Sequence, residues 1–227
     1  MPEILNMDIL VIADAARYED LQQKGWGAHQ VHWKKQLDEL VSLQDYQLVI
    51  DLVFDDQPRH AAIYAKHPEI PVLAGMVKTS LADIMVHNAF TQGFNIMGCN
   101  WLPGFIHLPV TEVSIMDEGQ QPVLDHLMKE LGWQYELVAD RVGMVTPRVI
   151  CMIINEAYLT AQEGTATRED IDTSMRLGTN YPYGPFEWSR KIGVKNVYEV
   201  LKAIYTATND ERYTIASSME AEYNKLK

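Results

Sequence analysis

Cys99 and Cys151 carry the chain's two thiols. A nucleophilic cysteine needs a base that is itself held by a third group. Nothing near Cys99 in the sequence supplies that pair, so a small residue in a packed loop accounts for it. The two lie far apart, with neither zinc-ligand spacing nor a disulfide framework, as expected in a reducing compartment. His107 could serve as a proton acceptor, but a loop histidine is more often polar surface. Asp170 and Asp172 have the look of paired carboxylates. Thr167 with Asp170 reads instead as a capping box, and Asp172 suits the positive end of the helix dipole. Gly25-Trp26-Gly27 is a lone G-x-G on a turn, where glycines are routine. Tyr181, Tyr183, Phe186 and Trp188 form an aromatic group read as core or subunit interface rather than ligand cage.

The elements that must position these residues fall into two halves. Through residue 139, β-rich runs alternate with helical patches. Met7 to Ala13 and Leu48 to Phe54 are near-continuous apolar runs, as in buried parallel strands. Ala28 to Trp33, Pro71 to Gly75, Phe94 to Gly98 and Val110 to Met116 are weaker strand candidates. Arg17 to Lys24, Lys34 to Val41, Arg59 to Lys66 and Pro122 to Leu131 read as helices. This alternation implies a parallel sheet covered on both faces, a three-layer α/β unit. From residue 140 the pattern is helical. Thr146-Pro147 suits a helix start, Thr167 caps a second helix that Gly178 ends, and Gly184-Pro185 opens a third. Val197 to Tyr205 and Tyr213 to Lys227 read as two more helices.

Composition narrows the function classes. The 227 residues are 47% apolar and 22% charged, values of a chain with a real core. A net charge of −12 disfavours nucleic acid or an anionic membrane as the main partner. The first residues lack a basic n-region and a cleavage site, and Val149 to Ile154 is too short an apolar run to span a bilayer. A soluble, cytoplasmic protein is expected.

The helical half resembles the C-terminal domain of the 3-hydroxyacyl-CoA dehydrogenase family. The likeness rests on Asp140-Arg141-x-Gly143, Arg148, Asn155-Glu156-Ala157, Gly164, Glu169-Asp170-Ile171-Asp172, Met175, Leu177-Gly178 and Tyr181-Pro182-x-Gly184-Pro185-Phe186-Glu187, with Gly193 beyond. In the front half, DYQLVIDLVFDD, VLAGMVKTSLADI, NIMGCNWLP and VTEVSIMD resemble family segments. The resemblance covers roughly residues 45–215. It implies a Rossmann-like domain over 1–139 and an all-helical domain over 140–227, a homodimer formed by the helices, NAD as cofactor and an acyl-CoA ligand. Against the family the chain is short, lacking a helical excursion after the second strand and a Gly-rich tail.

The resemblance also assigns site residues, by position. The family's serine falls on Thr79, its catalytic histidine on Cys99 and its glutamate on Glu112, the last with one residue inserted. Pro147 replaces its asparagine. The three glycine positions that let a first strand–helix turn approach a pyrophosphate are Ala13, Ala15 and Tyr18. Asp14 adds a carboxylate where a phosphate would lie, and the second strand ends in Trp33 rather than an acid for the ribose. The expectation is a degenerate homologue that keeps the scaffold and an acyl-CoA cleft with its NAD-linked oxidation impaired. An active dehydrogenase with an altered site and a non-enzymatic dimeric interaction protein are the alternatives.

Overall fold

The computed structural model describes residues 6–37, 42–88, 90 and 95–226. The chain divides into two compact units, Met1–Arg141 and Val142–Lys227.

The first unit is built on a seven-stranded sheet. Its strands are β1 (Asp8–Ile12), β2 (Gln30–Lys34), β3 (Leu48–Asp51), β4 (Val72–Gly75), β5 (Ile96–Cys99), β6 (Val110–Ser114) and β7 (Gln134–Leu137), in the order β2-β1-β3-β4-β5-β6-β7. The helices are α1 (Ala15–Gln22), α2 (Ala61–Tyr64), α3 (Leu81–His87) and α4 (Gln121–Leu131). The apolar runs of β1 and β3 divide by a period of two, because successive strand side chains point to opposite faces. Ile9, Val11, Leu48 and Ile50 join one core with Leu21 of α1 and Leu124, Leu127 and Met128 of α4. Leu10, Ile12 and Val49 join another with Ala61 and Tyr64 of α2 and Leu81 and Ile84 of α3. The unit is therefore three-layered.

Several details depart from the sequence reading. β5 and β6 pair antiparallel, with Cys99 opposite Val113, so the sheet is mixed rather than wholly parallel. The helix expected over Lys34 to Val41 does not begin there. Lys34 closes β2, held by the bond from Ala13 N to its carbonyl (3.1 Å), and residues 38–41 lie outside the described ones. Phe94, in the expected fifth strand, also lies outside them. The Arg59 to Lys66 helix begins as a 3-10 turn, Pro58–His60, and continues only through α2. α3 and β7 had no clear signal. α3 is short, and its N-terminal amides are satisfied by Ser80 and by Asp140, which accepts from Leu81 N (2.9 Å) and Ala82 N (3.0 Å). β7 is an edge strand whose mixed sequence QYEL is largely exposed.

The second unit packs α5 (Thr146–Gln162), α6 (Arg168–Thr179), α7 (Pro185–Ile192), α8 (Val194–Thr208) and α9 (Ser217–Asn224). Thr146 lies inside α5, whose N-cap position is Val145. Thr167 does cap α6, accepting from Asp170 N. Gly178 does not end that helix, which stops at Asn180 in a left-handed conformation (φ 56°). The last helix is shorter than expected because a 3-10 turn, Glu211–Tyr213, precedes it. Among the described residues no helix is long and apolar enough to cross a membrane.

Candidate functional site

In an open α/β sheet, ligands bind beyond the carboxyl ends of the strands where strand order reverses. Here that point lies between β1 and β3. The loops that follow β1, β3 and β4 are tied there by an ion network. Arg17 reaches Asp14 (3.1 Å) and Asp56 (2.7 Å), and Lys78 reaches the other oxygen of Asp56 (3.0 Å). Asp55 accepts from Val77 N and Lys78 N, both at 2.8 Å. The two neighbouring acids respond in opposite directions. Burial pushes Asp55 up to about 7, against the pull of the two amides and Lys78. Burial also opposes ionisation of Asp56, but Lys78 and Arg17 outweigh it and hold its carboxyl at about 2.

The turn from β1 into α1 carries the three fingerprint positions. Ala13 is buried, and its carbonyl accepts from the Trp33 indole N–H (2.8 Å). Ala15 opens α1 and is exposed. Tyr18 stacks on Trp33 with centroids 4.6 Å apart and planes 2° from parallel. Asp14 is the N-cap and accepts from Arg17 N (2.9 Å), so one amide that an anion would seek is already bonded.

The catalytic positions do not all meet. Cys99 is fully buried in the core, and burial pushes its thiol up, with Lys24 pulling the other way. In the antiparallel ladder Asn100 lies opposite Glu112, donating its N–H to the Glu112 carbonyl (3.0 Å). Directly opposed residues share a face, so the side chain beside Glu112 belongs to Asn100, and Cys99 shares the core face with Val113. Thr79 is half-buried in the loop after β4. His107 lies on the surface, 4.0 Å from Asp20 of α1. Asn100 Oδ1 and Trp101 Nε1 are buried without a hydrogen-bond partner among the described residues.

A second cluster had no signal in the sequence. Asp51, at the end of β3, is fully buried and accepts from Val53 N (3.0 Å), the Tyr64 hydroxyl (2.7 Å) and His60 Nδ1 (2.7 Å). Burial and the Asp51 charge raise Tyr64. His60 is separated from Asp51 by a 3-10 turn, so no fixed spacing marks the pair. Among the described residues no group of three or more His, Cys, Asp or Glu side chains could hold a metal ion.

In the helical unit the motif residues hold the fold. Asp172 sits not at the positive end of its own helix but against the start of α7, accepting from Phe186 N (2.7 Å), with Arg190 3.5 Å away. Gly184 donates its N–H to Glu187 (2.8 Å), and a Cβ there would collide with Asp172. Asn155 donates to the Thr214 carbonyl and accepts from Ala216 N, both at 2.9 Å, fixing the chain before α9. Gly143 has φ 87°, and a Cβ would run into Ile204. Phe186 packs on Tyr158 and Tyr183 on Trp188, while Tyr181 is exposed. Ile153, Ala157, Ile171, Met175 and Pro185, with Glu156 at the side, line an apolar cavity of about 380 Å³.

A Rossmann-like sheet followed by an all-helical unit is the architecture of a class of two-domain dehydrogenases. Residues 143–226 match the 3-hydroxyacyl-CoA dehydrogenase, C-terminal domain. Over 76 residues, 34% of the chain, it is 45% identical to 3-hydroxyadipyl-CoA dehydrogenase of Escherichia coli (strain K12), spanning 16% of that protein. Over 182 residues, 77% of the chain, it is 22% identical to a probable 3-hydroxybutyryl-CoA dehydrogenase of Deinococcus radiodurans, spanning 65% of it. The crystal structure of FadB2 from M. tuberculosis shares the fold with a TM-score of 0.77 at 16% identity, covering 97% of this chain and 94% of that one. The family match thus lies in the helical unit, which is similar to the 3-hydroxyacyl-CoA dehydrogenase C-terminal domain, and the chain spans only a small part of the curated relatives it matches at 30% identity or more.

Proposed function

We propose that this protein is a 3-hydroxyacyl-CoA dehydrogenase homologue that keeps the scaffold and an acyl-CoA-binding role while its NAD-linked oxidation is impaired. One observation carries the reading: the Tyr18–Trp33 stack and the Trp33 bond to Ala13 occupy the turn that a pyrophosphate needs open. The residues at that turn do not fit NAD, since Asp14 already caps the amide an anion would use. Beside Glu112 stands Asn100, whose amide cannot take a proton at neutral pH, so the family's His–Glu pair has no counterpart there. Both cysteines are unpaired, in keeping with a reducing, cytoplasmic setting.

The second reading, an active dehydrogenase with an altered site, is favoured by the family match and by the survival of Thr79 and Glu112. Two measurements separate the readings. Nicotinamide fluorescence on titration with NADH should stay unchanged, and acetoacetyl-CoA should not be reduced, while acyl-CoA alone raises the melting temperature. Reduction of acetoacetyl-CoA by NADH would establish the active enzyme. A melting temperature indifferent to acyl-CoA and to NADH would favour the dimeric interaction protein instead. Asn100→His places an imidazole beside Glu112 without touching the core that holds Cys99. It should still give no turnover, because the cofactor turn is the larger loss.

A further inference from the structure

The end of β5 and the middle of β6 bring a buried amide beside a carboxylate, both within the α/β unit. Asn100 is 5% exposed, and its Oδ1 has no hydrogen-bond partner among the described residues. A buried carbonyl oxygen without a donor is unfavourable, so it marks a place where a polar group from outside the chain is held. Glu112 is half-buried. The ladder puts the two side chains on one face, since Cys99 lies opposite Val113 and the Asn100 N–H donates to the Glu112 carbonyl (3.0 Å). The next pair on that face, Gly98 with Ser114, lies beside Ala74 of β4 and carries little side chain.

An amide cannot serve as a base, but it offers one acceptor oxygen and two donor hydrogens, while an ionised carboxylate only accepts. A water that donates one hydrogen to Asn100 Oδ1 and the other to Glu112 is left with its lone pairs turned outward. Asn100 Nδ2 remains to donate to a carbonyl oxygen on which negative charge builds as that water attacks. We propose that Asn100 and Glu112 hydrolyse an acyl-CoA thioester, with Glu112 as general base and Asn100 orienting the water and stabilising the oxyanion. The water oxygen bonds to the thioester carbonyl carbon as its proton passes to Glu112. The C–S bond then breaks and Glu112 returns the proton to the departing sulfur, giving a carboxylic acid and the CoA thiol. Nothing is oxidised, so the closed turn at Tyr18 and Trp33 does not obstruct the step. The choice of thioester rests on the acyl-CoA-binding reading, whereas the pairing of amide and carboxylate does not.

Chromatographic measurement of the CoA and butyrate formed from butyryl-CoA by the full chain tests this step. CoA should appear at about a hundredfold the buffer rate or more, and in oxygen-18 water the butyrate should gain a single labelled oxygen. Glu112→Gln and Asn100→Ala should each lose that gain by about tenfold or more. Butyryl-CoA should still raise the melting temperature of both variants, which shows that fold and binding survive. A wild-type melting temperature raised by butyryl-CoA without release of CoA would overturn the hydrolysis and leave the binding reading in place. Release undiminished in both variants would overturn the roles given to these two residues. A melting temperature indifferent to butyryl-CoA, with no release, would remove the binding reading and the hydrolysis together.

Discussion

Asp55 and Asp56 are neighbours in sequence, yet the fold drives them apart in acidity, to about 7 and about 2. Burial raises Asp55, whereas at Asp56 the side chains of Lys78 and Arg17 outweigh it. The folded pKa of Asp56 is below the ordinary 3.8, so the stability it contributes is present above that value and is lost as pH falls toward 2. Asp56→Asn should lower the unfolding free energy by about 2 kcal/mol at pH 7, and chemical denaturation should show the gap to wild type closing between pH 4 and 2. Asp55 runs the other way: its pKa is raised, so its contribution is complete below 3.8 and is lost as pH rises through about 7. At Gly184 the constraint is steric. Gly184→Ala puts a methyl into Asp172 and should destabilise the helical unit by about 2 kcal/mol or more, read from its thermal transition.

At the scale of elements, glycines that look alike in sequence have opposite roles. Gly132 ends α4 at φ 69°, a left-handed conformation in which a Cβ is strained. Gly178 lies within α6 with open space where a Cβ would be. Gly132→Ala should therefore destabilise by about 1 kcal/mol, whereas Gly178→Ala should stabilise by about 0.5 kcal/mol; urea midpoints of the two variants should move in opposite directions. The sequence reading placed the stop of α6 at Gly178, since glycine is the usual C-terminal signal. Asn180 takes that role by adopting the left-handed conformation itself. Strand order likewise escaped the sequence: β6 reads like its neighbours by composition, but the antiparallel register with β5 determines that Asn100 faces Glu112.

For the whole molecule, the exposed apolar side chains of the helical unit bear on assembly. Val145 at the N-cap of α5 and Val149 within it are exposed, and Leu177 on α6 is 83% exposed. Exposed apolar side chains can mark association sites, and a homodimer through these helices is the expectation that the following variant tests. Val149→Asp combined with Leu177→Asp should convert a dimer to a monomer in sedimentation velocity while leaving the circular dichroism spectrum unchanged. A wild-type chain that sediments as a monomer at micromolar concentration would remove the dimer from the account.

The sequence by itself determined the two-half organisation, the buried strands β1, β3 and β4, and the helical unit with the family domain it resembles. These are written in local periodicity and in a motif string whose residues each hold a junction, as Gly184 does against Asp172. It also determined what is missing at the first turn, because a glycine requirement is met or failed position by position. Only the tertiary structure decided which side chains meet at that turn. The Tyr18–Trp33 stack, the Arg17–Asp56–Lys78 network and the Asp51–His60 pair join residues from separate strands and loops. Such contacts depend on strand order and register, which are set by how the whole sheet buries its faces and not by any single segment.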